Sequence, residues 1–314
     1  MEDISIVLYG FMLSGAVFHA ANNILTKKLF SRGVGEDFVA VATMAIAGFM
    51  GLFGSFALHG IPKLRPGFAV PFLAAAALTV FWYKFHLRSM DLEDASVVVP
   101  LSSASPISAA VISFFFLGQQ PTLWGGIGIG VVAAGVYAAN LREPVELPKR
   151  LAAPLSIAWR ARVERVAGPL LRLTSSRGAW YAVIAWGVFG GSALVITRAV
   201  VFSSDPFFRT GATFLFVAFV LWVDSLWRGT WRDVPKRRSS IALVLAAGIT
   251  LGMSDALYSF GYYYGIVPYL GALKQAQVPL TVFLASFFLA GEKHVWQRFI
   301  GSIMVFAGIV LLSF

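Results

Sequence analysis

Two side chains of opposite charge lie inside long apolar stretches of this 314-residue chain. Counted from a short turn near Ile266, Asp255 lies 11 residues back and Lys274 lies 8 residues forward. A helical rise of about 1.5 Å per residue puts them at similar depths in adjacent helices. A charge buried away from water is costly unless it has a partner. The spacing therefore predicts an ion pair, which either fixes helix register or belongs to a binding site.

Hydrogen-bonding side chains accompany both charged groups at helical spacing. Tyr258 and Tyr262 follow the acid at i+3 and i+7 and share its face. Gln277 shares a face with the lysine, and Gln275 lies about 100° away from it. We predict that the amides bind the polar part of a small ligand and that the tyrosines shape the wall around it.

A polar stripe runs along the first apolar stretch. His19, Asn22, Asn23 and Thr26 are spaced i, i+3, i+4 and i+7, and such a stripe is unfavourable against lipid. Interhelical hydrogen bonds explain one such residue easily and four less well. We therefore predict a polar cavity wall, with interhelical bonding as the alternative.

Three further side chains are candidates with a simpler alternative each. Tyr83 lies toward the end of its apolar stretch, where it and Lys84 can extend to the membrane interface instead. Arg209 either joins the site or pairs with the nearby Asp205. Trp186 either stacks on a ligand or packs between helices.

Two prolines add a backbone argument. A proline in a helix removes the hydrogen bond to the carbonyl four residues earlier. Pro106 thus frees the carbonyl of Ser102, and Pro279 frees that of Gln275. Unsatisfied carbonyls inside a membrane need water, a side chain or a ligand. The alternative is a kink without ligand contact.

The composition sets the class of protein. The chain is 58% hydrophobic and 13% charged, against about 45–50% and 25% in soluble proteins. This excludes a soluble enzyme or a disordered chain, and the absence of Cys excludes a disulfide scaffold. The four His lack ligand spacing and no phosphate-binding glycine loop occurs, so we expect no catalysis, metal or cofactor. The net charge is +10, and the basic residues lie between the apolar stretches, which argues against nucleic acid as a partner.

Ten apolar stretches are each long enough to cross about 30 Å of hydrocarbon. The predicted fold is therefore an all-α integral membrane protein with ten transmembrane helices. The spans are Ile4 to Leu25, Phe38 to Leu58, Phe68 to Leu87, Ala95 to Leu117, Leu123 to Ala139, Trp180 to Phe202, Pro206 to Val223, Ile241 to Tyr264, Val267 to Ala290 and Val295 to Phe314.

The two halves of the chain repeat each other. A shift of 173 residues superposes Pro106 on Pro279, and the following glycines 118, 128 and 135 on 291, 301 and 308. Residues 1–140 and 178–314 form five spans each, and an odd number of spans inserts the two repeats in opposite directions. Residues 141–177 are predicted to be a basic, amphipathic cytoplasmic connector, either a helix in the headgroup region or a solvated linker.

The doubled pattern resembles the EamA-like members of the drug/metabolite transporter superfamily. A proline followed after eleven residues by Gly-Gln or Gly-Glu occurs at Pro106 to Gln119 and at Pro279 to Glu292. Gln119 departs from the usual Glu, and we expect little consequence in a short turn. The resemblance implies a secondary transporter with a central cavity between inverted repeats, alternating access and amino-acid-like cargo, more often exported.

The charges of the candidate site favour an anionic or zwitterionic small organic metabolite. The positive candidates Lys274, Arg209 and Lys84 outnumber Asp255. Proton or ion coupling is possible, and the oligomeric state is open. A lipid or lipid-headgroup flippase of the same fold is one alternative, and a non-transporting receptor or assembly subunit is another.

Basic residues predict the orientation in the cell (inner) membrane. The loops on one side carry twenty Lys and Arg and those on the other side four, and cytoplasmic loops are the basic ones. Both termini are therefore predicted to be extracytoplasmic. The resemblance implies cytoplasmic termini, and we follow the count because it is a property of this chain.

Overall fold

The computed structural model describes residues 2–92, 100–140, 156, 159, 163–164, 166–171, 173, 176–231, 238–288 and 295–314. All regular structure within these residues is helical. The first half forms α1 (Glu2–Phe30), α2 (Glu36–His59), α3 (Ala69–Leu92), α4 (residues 100–117) and α5 (Leu123–Asn140). The second half forms α6 (Arg177–Phe202), α7 (Pro206–Arg228), α8 (Arg238–Gly261), α9 (residues 267–288) and α10 (Val295–Leu311).

Length and composition make five of these helices able to cross a membrane. They are α2, residues Ala69–His86 of α3, α6, α7 and α8. Shorter apolar helical stretches occur at Leu101–Leu117, Leu123–Ala139 and Ile300–Leu311. The chain is therefore a helical multi-pass membrane protein, and the full set of ten spans stays a prediction.

Helix packing follows the sequence repeat. Helix α1 packs on α8 as α6 packs on α3, and α1 packs on α9 as α6 packs on α4. Helix α2 packs on its repeat counterpart α7, and α5 packs on its counterpart α10. Exchanging the two halves leaves this pattern unchanged, which confirms the two-repeat architecture.

The repeated glycines form the crossing of α5 and α10. A Cβ on Gly128 would lie 2.7 Å from the carbonyl oxygen of Gly308, and one on Gly135 would lie 2.8 Å from that of Gly301. Numbers rise along α5 as they fall along α10, so the helices run antiparallel. Gly128 and Gly301 are repeat equivalents, as are Gly135 and Gly308. Gly128 therefore packs against the equivalent of Gly135, and Gly135 packs against the equivalent of Gly128.

Helices α4 and α9 each contain a 3₁₀ segment just before the repeated proline, Pro106 or Pro279. Helix α4 begins as a 3₁₀ segment at Pro100–Ser103, and α9 changes to a 3₁₀ segment at Lys274–Ala276. Each segment ends three residues before its proline, where the missing N–H weakens the α-helical bonding of the preceding turn. The ninth span is thus three segments, Val267–Leu273, Lys274–Ala276 and Gln277–Phe288, rather than one helix.

Most of the connector lies outside the described residues. Its described part includes a helical turn at Gly168–Leu171. The Tyr137 hydroxyl of α5 donates to the carbonyl of Val166 at 2.7 Å, so this part contacts the first repeat. The predicted interfacial helix and its cytoplasmic side stay predictions.

Candidate functional site

A buried ion pair joins α7 to α8. The Arg209 guanidinium lies 2.7 Å from the Asp255 carboxylate and also donates to the Ser259 hydroxyl. The Thr210 hydroxyl donates to the same carboxylate oxygen at 2.9 Å. Arg209 is only 6% exposed. The charge of Asp255 is therefore already matched within the protein.

The predicted ion pair of Asp255 with Lys274 is wrong, and so is the alternative pair of Arg209 with Asp205. Asp255 pairs with Arg209 and not with Lys274, because α7 packs against the face of α8 that carries the acid. Asp205 does not pair with Arg209 and instead caps the N-terminus of α7, where it accepts the Phe208 N–H at 2.9 Å. Asp205 also accepts the Ser55 hydroxyl at 2.7 Å.

Lys274 occupies the 3₁₀ interruption of α9. Its ammonium lies over the Tyr258 ring, 4.7 Å from the centroid, a favourable cation–π distance. It forms no ion pair with any residue that the structure describes. Lys274 is thus a half-buried cation without a direct ion-pair partner among the described carboxylates.

The stripe on α1 makes interhelical hydrogen bonds. The Asn22 amide donates to the carbonyl of Ala247 at 2.7 Å, and the Asn23 amide donates to the Thr281 hydroxyl at 3.2 Å. His19 Nδ1 lies 3.3 Å from the Ser254 hydroxyl. The structure therefore favours the interhelical alternative for Asn22 and Asn23. His19 also lies near Tyr258, with ring centroids 6.2 Å apart.

The amides predicted beside Lys274 lie on the same helix at its interruption. Gln275 belongs to the 3₁₀ segment and is half-buried. Gln277 is also half-buried, but its Oε1 is buried and accepts no hydrogen bond from the described residues. Ser102 lies in the equivalent 3₁₀ segment of α4 and is half-buried.

An aromatic cluster fills the contact between α3 and α6. His86 stacks on Trp82 with ring centroids 5.7 Å apart, and Trp186 meets them edge-on at 5.4 and 5.0 Å. Trp186 Nε1 and His86 Nδ1 are buried without a hydrogen-bond partner among the described residues. His86 was not among the predicted site residues, although its i+4 spacing from Trp82 was visible.

The charged residues at the end of α7 near the basic loops are mutually paired. The Lys84 ammonium lies 2.8 Å from Asp224, which also accepts from Arg228 at 2.9 Å. Arg228 lies 3.5 Å from Asp37. Tyr83 packs against an apolar cluster of α2 and α7. The structure therefore places Tyr83 among packing contacts.

Hydrogen bonds hold the C-terminal half of α6 in place. The Tyr262 hydroxyl donates to the carbonyl of Leu194 at 3.0 Å, and Arg198 donates to the carbonyl of Gly265 at 3.1 Å. These bonds tie α6 to the turn between α8 and α9.

Gln119 lies in a short turn as predicted, but its Oε1 also accepts the Val267 N–H at 2.9 Å.

The architecture belongs to a recognised class of membrane protein. Inverted helical repeats with interrupted helices and polar groups between them are typical of secondary transporters. No cluster of three metal-ligating side chains occurs among the residues that the structure describes.

The family model of the EamA-like transporter family matches residues 7–141 and 176–314. The chain belongs to this family, which is part of the drug/metabolite transporter superfamily. A solved structure titled "Crystal structure of protein" is similar over 99% of this chain and 97% of its own, with a TM-score of 0.71 and 17% identity. That likeness shows the fold alone. No curated protein matches the sequence.

Proposed function

We propose that this transporter carries a small organic metabolite with a carboxylate, and that Lys274 binds the carboxylate. The cargo class is anionic or zwitterionic, as in an amino acid. Alternating access occurs by rocking of one repeat against the other, and export is the direction implied by the family resemblance.

The observation that carries this proposal is the unmatched charge of Lys274. Arg209 is neutralised by Asp255, and Lys84 is neutralised by Asp224. Among the described residues, Lys274 contacts the Tyr258 ring and forms no ion pair, and a ring quadrupole does not neutralise an ammonium. A half-buried ammonium is stabilised by an anion, and a carboxylate on the cargo supplies it.

A second polar group favours a zwitterion over a simple anion. Gln277 follows Lys274 at i+3 and thus shares its face. Its Oε1 is buried and lacks a donor among the described residues, and an unmet buried acceptor is costly. An ammonium near the carboxylate of an amino acid supplies that donor. The arrangement supports a cargo in which the two groups are adjacent.

Binding should be measured by calorimetry after a thermal-shift screen of amino acids and other small carboxylates. We expect Lys274→Ala to weaken binding by about 10- to 150-fold, because a hydrogen bond to a charged group contributes roughly 1.5–3 kcal/mol. Lys84→Ala is the matched control, since its pair with Asp224 lies elsewhere, and it should bind as the wild type does. Equal loss in both variants, or no loss in Lys274→Ala, contradicts the proposal.

Two rival functions make different predictions for the purified protein. A flippase retains a stoichiometric lipid that competes with the cargo. A receptor or assembly subunit binds a ligand without moving it across proteoliposomes. Saturable, lipid-independent counterflow of an amino acid excludes both.

We also propose that the basic loops face the cytoplasm of a cell with the protein in its inner membrane. A reporter fused after Phe314 should then be extracytoplasmic, and one within residues 141–177 should be cytoplasmic. A cytoplasmic reporter after Phe314 reverses the assignment.

A further inference from the structure

An apolar groove of about 470 Å³ lies between α4 and α6. It is formed where the seven-residue π-helix Ile184–Gly190 of α6 passes the beginning of α4. A Cβ added to Gly187 would meet only Ala104 at 3.7 Å and Val183 at 3.8 Å. The missing side chain of Gly187 therefore leaves the floor of the groove open.

The walls of the groove offer almost no polar group to an occupant. Among the described residues that line it, the one polar side chain is that of Ser108, whose hydroxyl already donates to the carbonyl of Ser105. Ile107, Val111 and Val188 also line it and are 48%, 51% and 51% exposed. The groove is therefore open sideways, and its occupant must be apolar.

The groove runs along the helix axes inside the membrane. Gly187 lies level with Ala104, and Gly191 lies level with Ser108, so α4 and α6 run parallel here. Val183 lies six residues after the start of α6, which is about 9 Å of helical rise. The surrounding medium at this depth is lipid acyl chains.

A positive charge and an aromatic ring lie on α6 between the start of the helix and the groove. Arg177 and Trp180 precede Val183 on α6 and are both exposed. Arg177 forms no ion pair with another residue that the structure describes. Tryptophan is enriched at the membrane interface, and a basic residue there attracts an anionic headgroup.

We propose that this groove holds one acyl chain of an anionic phospholipid whose headgroup is bound by Arg177. The lipid belongs to the leaflet on the side of the basic loops. It fills the space that the π-helix and Gly187 leave open, and it is a resident lipid rather than the cargo. The proposal does not depend on which metabolite is transported.

The test is native mass spectrometry of protein taken from phosphatidylcholine bicelles with and without phosphatidylglycerol. Wild-type protein should retain one phosphatidylglycerol. Gly187→Leu should lose it because the side chain fills the groove. Gly130→Leu is the matched control: Gly130 is an exposed glycine of α5 with no atom within 4 Å of an added Cβ, and the variant should retain the lipid.

A variant of Arg177 separates the contribution of its charge from that of the shape of the groove. Arg177→Gln should lower the preference for phosphatidylglycerol about fivefold, because a basic residue near an anionic surface contributes roughly 1 kcal/mol. Arg65→Gln, at the other end of the bundle, should not change it. An unchanged preference in Arg177→Gln overturns the assignment of the headgroup.

Two other outcomes overturn the assignment of the groove. One is lipid retention in Gly187→Leu equal to that of the wild type; if this variant does not fold, Val111→Trp fills the groove from α4 and the same criterion applies. The other is a wild-type dimer that Gly187→Leu dissociates, since the occupant would then be a second copy of this chain.

Discussion

The contact of α1 with α8 and that of α6 with α3 occupy equivalent places in the two repeats, yet they differ in chemistry. The first contains His19, Ser254 and Tyr258, and Lys274 lies beside it. The second contains the rings of Trp82 and Trp186. The two repeats thus share a backbone frame, while the first contact is polar with Lys274 beside it and the second is built of aromatic rings.

The difference extends to unsatisfied groups. At the polar contact, the outstanding requirement is a counter-charge for Lys274. At the aromatic contact, it is an acceptor for the Trp186 N–H, which is buried without a partner in the described part of the chain. An anion supplies both a counter-charge and a hydrogen-bond acceptor, but a buried charge without a partner is far more costly than a buried indole N–H without one. We therefore expect the polar contact to dominate binding.

The largest expected effect on stability is at the ion pair beside the polar contact. Asp255→Ala leaves Arg209 buried and uncompensated, which should destabilise the protein by about 3–5 kcal/mol. Asp224→Ala, at a more exposed pair, should cost about 1 kcal/mol or less. Denaturant unfolding in detergent measures both, and equal losses would show that burial does not distinguish these pairs.

A substitution at the aromatic contact should have a smaller effect. Trp186→Phe keeps an aromatic ring but removes the unpartnered N–H. We expect cargo affinity to fall about fivefold, since a neutral hydrogen bond contributes roughly 1 kcal/mol. Phe189→Leu, at a neighbouring ring of the same contact that has no N–H, is the control. Unchanged calorimetric affinity in Trp186→Phe would assign Trp186 to packing alone.

The smallest expected effect concerns the α1 stripe. Asn23→Ala and Thr281→Val remove one interhelical hydrogen bond, and their coupling energy in a double-mutant cycle should be about 0.6 kcal/mol. Cargo affinity should not change. A tenfold loss of affinity in Asn23→Ala would return this residue to the cavity wall.

The repeat and the helix breaks were predictable because they depend on local chemistry. Pro106 and Pro279 lack an N–H wherever they stand, so both interruptions follow from spacing alone. The cap at Asp205 was also signalled, since Asp followed by Pro is a typical helix start. The alternative pair of Asp205 with Arg209 overlooked that local preference.

The partner of Asp255 was not predictable by the same means. Counting residues from the turn compares depth in two adjacent helices, but it says nothing about the direction each face points. The actual partner is on α7, 46 residues earlier. Which face of α8 meets α7 depends on packing of all the helices, including the glycine contacts with α2.

Counterflow in proteoliposomes measures whether transport depends on the charge of Lys274. Wild-type protein and Lys274→Ala should be compared for exchange of an amino acid identified by the binding screen, with and without added ethylammonium. We expect Lys274→Ala to abolish exchange, ethylammonium to restore it partly by replacing the lost charge, and Lys84→Ala to exchange normally. Normal exchange by Lys274→Ala without ethylammonium would show that Lys274 does not bind the cargo.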